Sequence, residues 1–191
     1  MLVRPLFYQK SHSSWRKSDR LLAIVRALGE IGDNRATDTL LARLQDTQEN
    51  EELRQAAATA LGQIKDARAT EALLARLQDA QENQELRQVV AIALGRIGEA
   101  RGIKVLSAYL QDTDEFLRCI ALGGLASTCI DETDRELLSE DLDGFGPWLD
   151  PLSPITAERI ALAADKLEKP REEIQQRYAA LAERFGLKLA L

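Results

Sequence analysis

His12 is the single histidine of this 191-residue chain, and Cys119 and Cys129 are its two cysteines. Nucleophilic, metal-centred or acid–base chemistry near neutral pH is built first from such side chains. Their placement supports none of it. His12 lies in "SHSS" with no Cys, Asp or Glu beside it, as a surface residue would. The cysteines stand ten apart with no histidine near, which is not a zinc spacing, so they read as small buried apolar residues. Asp141, Asp143 and Asp150 form an acidic cluster, but it lacks the twelve-residue loop with Gly at six and Glu at twelve that a calcium hand requires. GxSxG, the P-loop, HExxH and CxxC are all missing. General acid–base work would fall to carboxylates or Tyr109, none in a telling context. The expectation is a chain that is not an enzyme and takes no cofactor or metal.

Elements must then account for the rest. Hydrophobic residues make up 45% and aromatics only 5%, so the apolar content is mostly Leu and Ala, which favour helix. Strict alternation of β-branched and aromatic residues is missing, which argues against strands. The net charge of −6 is uneven: +4 over residues 1–20, −11 over 21–150 and +1 over 151–191. The acidic middle disfavours a nucleic-acid cradle there. No run of eighteen apolar residues occurs, so no membrane span is expected. The basic start lacks an apolar segment of the secretory type, which points to a cytoplasmic protein.

The strongest signal is repetition. "ARLQDTQENEELRQ" (42–55) returns as "ARLQDAQENQELRQ" (75–88). About two thirds of residues 27–59 recur identically 33 positions later, and "ALGRIGEARG" opens a third copy at Ala93. A period in this range signals stacked supersecondary units. Each copy holds two helical stretches. In "RATEALLARLQD" the stripe is Ala69, Leu73, Leu74 and Leu77, and in "ELRQVVAIALGRIG" it is Leu86, Val90, Ala93, Leu94 and Ile97. A short polar turn joins them. Gly32 and Gly98 suit left-handed C′ positions, and Asp33 and Asp66 suit the start of the next helix. One such pair cannot bury its stripe alone; stacked neighbours can.

The recurrent "AxxALGxIGDxRAxxxLLxxL" closely resembles HEAT-like repeats, in particular the short-period type named after phycobilisome lyases. The resemblance covers residues 20–128. It implies an all-α fold: a right-handed α-solenoid of antiparallel helix pairs, an ARM-type superhelix, here with a C-terminal two-helix extension. It implies a structural ladder joining the turn acid to the arginine that opens the second helix. Here that ladder would be Asp33, Asp66 and Glu99 with Arg54, Arg87 and Arg118, the adjacent Arg35, Arg68 and Arg101 playing a similar role. It also implies a protein-interaction scaffold, of a kind often attached to signalling or regulatory proteins. A phycobilin lyase or lyase-like subunit is the alternative.

In such a stack the second helices line the concave face. Register assigns to that face Arg26 and Glu30, then Gln55, Thr59 and Gln63, then Gln88, Ile92 and Arg96, and Ser127 in the last copy. The strip is polar and nearly neutral, which suits a protein or peptide better than a phosphate backbone. The domains expected are an arm or cap over 1–19, the array over 20–130, an acidic connector over 131–154 and a helical hairpin cap over 155–191. Phe7, Tyr8 and Trp15 could cover the first layer, and Phe145 and Trp148 the last. In the hairpin, Ser153 is the candidate N-cap with Pro154 and Pro170 opening the two helices. Ala164, the turn at 168–170 and Ile174 have helix-turn-helix spacing. Glu168 stands where glycine is usual, and Glu172 and Glu173 would face phosphate, so nucleic-acid binding by this hairpin is the least favoured reading. The oligomeric state is left open.

Overall fold

The computed structural model describes residues 7–129, 132–139 and 154–190, with the side chains of the first helix described from Ser18 onward. The fold is all-α and solenoid-like in its repeats. The helices are α1 (Phe7–Ile31), α2 (Thr37–Gln45), α3 (Glu51–Ile64), α4 (Thr70–Gln78), α5 (Gln84–Ile97), α6 (Ala100–Tyr109), α7 (Glu115–Ala126) and α8 (Glu132–Ser139). The two-residue strand β1 (Ile155–Thr156), α9 (Ala157–Lys166), α10 (Arg171–Phe185) and strand β2 (Leu189–Ala190) complete the chain. It divides into two compact units, Met1–Ala93 and Leu94–Leu191.

In the first unit the copies form for local reasons. Asn50 begins α3 by accepting from Glu52 N at 2.8 Å, and Asn83 does the same for Glu85 N at 2.7 Å before α5. In the first copy this position is Lys17, which has no acceptor to offer an orphan amide. No helix start is signalled there, and α1 runs unbroken for 25 residues. The expected boundary near residue 19 therefore falls inside a helix. At the other ends, Gly32 and Gly98 adopt the left-handed conformation expected of them, and Lys65 adopts it with φ 58° in the middle copy. Asp33, Asp66 and Glu99 then accept from the backbone N of Arg35, Arg68 and Arg101.

The second helices pack at very short range. A Cβ on Gly29 of α1 would lie 2.8 Å from the Cα of Ala60 in α3, and one on Gly62 would lie 2.8 Å from the Cα of Ala93. Only glycine opposite alanine allows that approach. The expected stripes are buried except at Ile97, which is half-buried: Leu73, Leu77, Leu86 and Val90 are sealed, as are Leu40, Leu44 and Leu61 of the preceding copy.

The second unit repeats the joint once, where a Cβ on Gly95 would fall 1.7 Å from the carbonyl oxygen of Gly124. Beyond α7 the plan changes. Tyr178 of α10 is fully buried and donates its hydroxyl to Leu137 O of α8 at 3.3 Å. Arg177 pairs with Asp134 at 2.8 Å, and Arg184 reaches Thr128 Oγ1 at 2.8 Å. Strands β1 and β2 pair in parallel, Ile155 with Leu189 and Thr156 with Ala190, a pairing that composition did not foretell.

Two expectations are corrected here. Helix α9 opens at Thr156, whose hydroxyl accepts from Arg159 N, and not at Pro154, which precedes β1. The strand places the chain in extended backbone just where a Pro-opened helix was expected. Pro170 is the N-cap of α10 rather than its first helical residue. Asp141, Asp143, Phe145, Trp148, Asp150 and Ser153, and the side chains of Phe7, Tyr8, His12 and Trp15, lie outside the described residues and side chains.

Candidate functional site

Three of the residues assigned to the inner strip within the first unit, Arg26, Gln55 and Thr59, carry a polar group that the fold has partly spent. Arg26 is exposed and donates to Glu52 at 3.4 Å; Gln55 is half-buried and donates to Glu85 at 3.3 Å. Glu52 and Glu85 occupy the same position in successive copies, so the row of second helices is strapped across each layer by an acid at the helix start. Both acids lie on the strip and were missed in the sequence reading. They sit three residues before Gln55 and Gln88, hence on the same face, and that was the available signal. Thr59 is half-buried and returns its hydroxyl to Gln55 O at 3.0 Å. Gln63 and Glu30 are exposed. Gln88 and Ile92 are half-buried, so Ile92 is not the freely exposed anchor that the register suggested. In the second unit Arg96 is exposed, whereas Ser127 is half-buried and bonds to Gly123 O at 3.1 Å.

The turn acids pair with the arginines beside them, whereas Arg54, which opens the second helix, finds another carboxylate. Asp33 holds Arg35 at 2.5 Å, and Asp66 holds Arg68 at 2.6 Å and accepts from Thr37 Oγ1 at 2.9 Å. Arg68 also reaches back to Asn34 O at 3.0 Å and to Asp38 at 3.4 Å, both in the preceding copy. Arg54 pairs instead with Glu82 in the next inter-helix turn, where both side chains are over nine-tenths buried. Arg76 closes on the same carboxylate at 3.4 Å. The opening arginines share one further duty. Arg54 and Arg87 donate to Leu44 O and Leu77 O near the ends of α2 and α4, and Arg118 donates to Asp112 O and Thr113 O in the turn after α6. Glu82 was legible in principle, since "QEN" recurs at 48–50 and 81–83. Glu49, its equivalent, pairs with Arg43 at 2.9 Å; the first layer offers Leu21 where Arg54 and Arg87 stand.

Electrostatics follow these pairs. The guanidinium and backbone N of Arg35 hold the Asp33 carboxyl below its ordinary range. Arg68 does the same to Asp66, with help from Thr37, bringing it to about 2. In the second unit Lys169, and then Arg177, lower Glu173, each at 3.2 Å. Glu173 therefore stays anionic at the start of α10. Glu168, in the turn before it, holds the left-handed conformation with φ 52°, so the glycine-type turn forms without glycine. Cys119 is half-buried and Cys129 buried.

A family model described as HEAT repeats matches residues 7–83. These residues form HEAT-like repeats; the match is to HEAT repeats in general and does not single out the phycobilisome-lyase type. A second family model, described as wHTH-Hsp90_Na associated, matches residues 130–187. It takes in α8, α9 and α10 together, and the Tyr178–Leu137 and Arg177–Asp134 contacts tie the same stretch to itself. A search of the curated proteins found no match. HEAT repeats commonly serve as protein-interaction scaffolds and are generally non-enzymatic. Among the described residues no helix is long and apolar enough to cross a membrane.

Proposed function

We propose that this protein is a non-catalytic adaptor with two docking elements. The first is the inner strip of the array, which takes a polar protein or peptide segment. The observation that carries this reading is the strip's composition. Glu30, Glu52, Gln63 and Glu85 stay exposed on a row of helices locked at backbone distance by the Gly29–Ala60 and Gly62–Ala93 joints. A preformed surface of this kind loses little freedom on binding. Its acids and amides favour a partner segment rich in Lys, Arg and hydrogen-bonding groups, and disfavour phosphate backbones. Binding would then be tested by capturing partners with the full chain and with a Gln63→Lys/Glu85→Lys variant. Equal helicity with loss of the captured proteins is expected. Unchanged capture would refute the strip as the docking face.

The second element is the carboxyl-terminal module. The matched family's description links its winged helix-turn-helix to Hsp90_Na, which makes an Hsp90_Na module the first partner to try there. Nucleic acid is the competing reading of the same module. Against it, Glu172 is exposed and Glu173 is held anionic in the first turn of α10, where a reader of phosphates or base edges would be repelled. Fluorescence anisotropy of mixed duplexes at low salt separates the two, and tight binding there would reverse the assignment. A lyase role needs a tetrapyrrole site; a shifted visible absorption band on mixing with bilin would revive it.

A further inference from the structure

The second helices α1, α3 and α5 each end on a left-handed residue, Gly32, Lys65 and Gly98. Helix α7 does not. Its C-cap, Ser127, is right-handed, and the chain leaves through tight turns in which Thr128 N donates to Leu125 O at 2.9 Å and Cys129 N to Ala126 O at 3.0 Å. The helix is weak near this end, because Gly123 and Gly124 both disfavour helix. The same turn forms the Gly95 joint: a Cβ on Gly95 would lie 3.2 Å from the Cβ of Ser127 as well as against Gly124 O. What fastens it comes from the carboxyl-terminal module. Arg184 of α10 donates to Thr128 Oγ1 at 2.8 Å, and that hydroxyl donates in turn to Leu125 O at 2.7 Å. A hydroxyl can accept and donate at once, and a charged donor polarises the chain. Arg184 Nη1 also lies 3.9 Å from Cys129 Sγ, and the guanidinium rests over the buried Phe185 ring, 4.9 Å from its centre. A cation at this position faces the carbonyl end of α7, where the helix dipole favours it.

We propose that Arg184 is a latch by which the carboxyl-terminal module holds the last turn of α7 closed, and with it the Gly95 joint at Ser127. With Arg184 withdrawn, the glycine-weakened turn loses its outside support and opens locally. Ser127 is the last residue assigned to the inner strip, so the state of the module is felt by the array at that position. A partner that draws Arg184 or the end of α10 to itself opens the turn, and one that leaves them in place keeps it shut. That partners dock at both elements rests on the adaptor reading above; the latch itself does not.

Amide hydrogen exchange of the full chain tests the latch without any partner. In Arg184→Ala the amides of residues 125–129 should exchange about tenfold faster, while those around the buried Ile174 and Tyr178 keep their rates. Arg184→Lys keeps a charge at the end of α10 but not the planar fork, and should release the turn as well. Thr128→Val should match Arg184→Ala, and the two changes together should add nothing further. Unchanged exchange at residues 125–129 in Arg184→Ala would overturn the latch, as would an equal acceleration throughout α10. Partner capture by the strip variants bears on the adaptor reading alone, so the two readings fail separately.

Discussion

The hairpins α2–α3 and α9–α10 use similar lengths of chain and complete their cores in different ways. In α2–α3 the sealed residues are Leu40, Leu44 and Leu61 with a cluster of alanines, and the surface they leave is answered by another copy of the same motif. In α9–α10 the centre is Tyr178, and the surface around it is answered by α8 and by a two-strand pair drawn from the hairpin's own flanks. One hairpin is a unit of an array, whereas the other closes on local sequence. A defect in the first should spread to its neighbours, and a defect in the second should stay local.

The largest test removes the aromatic centre. Tyr178→Ala should cost about 4 kcal/mol and melt the carboxyl-terminal module, while Tyr178→Phe should cost only about 1 kcal/mol for the lost hydroxyl bond. Thermal melts followed by hydrogen exchange should show protection lost at α8–α10 and kept at α2–α4. Loss in both places would break the comparison. Next comes the buried rung between copies. Glu82→Gln leaves the Arg54 guanidinium buried without its counter-charge and should cost about 3 kcal/mol. That loss should lower the denaturant midpoint and deprotect both flanking copies together.

Smaller effects sharpen the picture of the copies themselves. Lys65 bears a left-handed conformation where its equivalents are glycine, so Lys65→Gly should raise stability by about 1 kcal/mol in the same assay. Acid should act through the turn carboxylates. The folded value of Asp66, about 2, lies below the roughly 3.9 of an unfolded aspartate. Its stabilisation is therefore fully present above that unfolded value and is lost as the pH falls toward 2. The urea midpoint should drop across this window, and Asp66→Asn should flatten the drop.

Much of the array was legible because its rules are local. A 33-residue period, Leu stripes at helical spacing, Gly32 and Gly98 past helix ends and Asp33 and Asp66 before the next helix all act within a few residues. What was misjudged depended on contacts across copies. The ladder arginine Arg54 finds Glu82 rather than Asp33 or Asp66, since position along the stack, not proximity in sequence, decides which carboxylate it meets. Ile92 and Ser127 were placed on an open face by register, but both are half-buried, Ser127 beside the Gly95 joint. In the carboxyl-terminal module the Ala164–Ile174 spacing and the stripe Ile174, Tyr178, Leu181 and Phe185 were visible, and all four stripe residues are buried. The short parallel strand pair was not visible, because two residues carry no periodicity.

By itself, then, the sequence determined that this chain makes helix pairs, roughly where the helices of the middle repeats begin and end, and that the pairs are copies meant to stack. Capping groups, left-handed turns and 3.6-residue stripes act over one or two turns of helix, and their free energies are already present in the local chain. Tertiary structure alone decided which charges pair and which strip residues remain exposed. Those outcomes depend on groups about thirty residues apart arriving within a few ångströms of each other, a distance no local rule encodes.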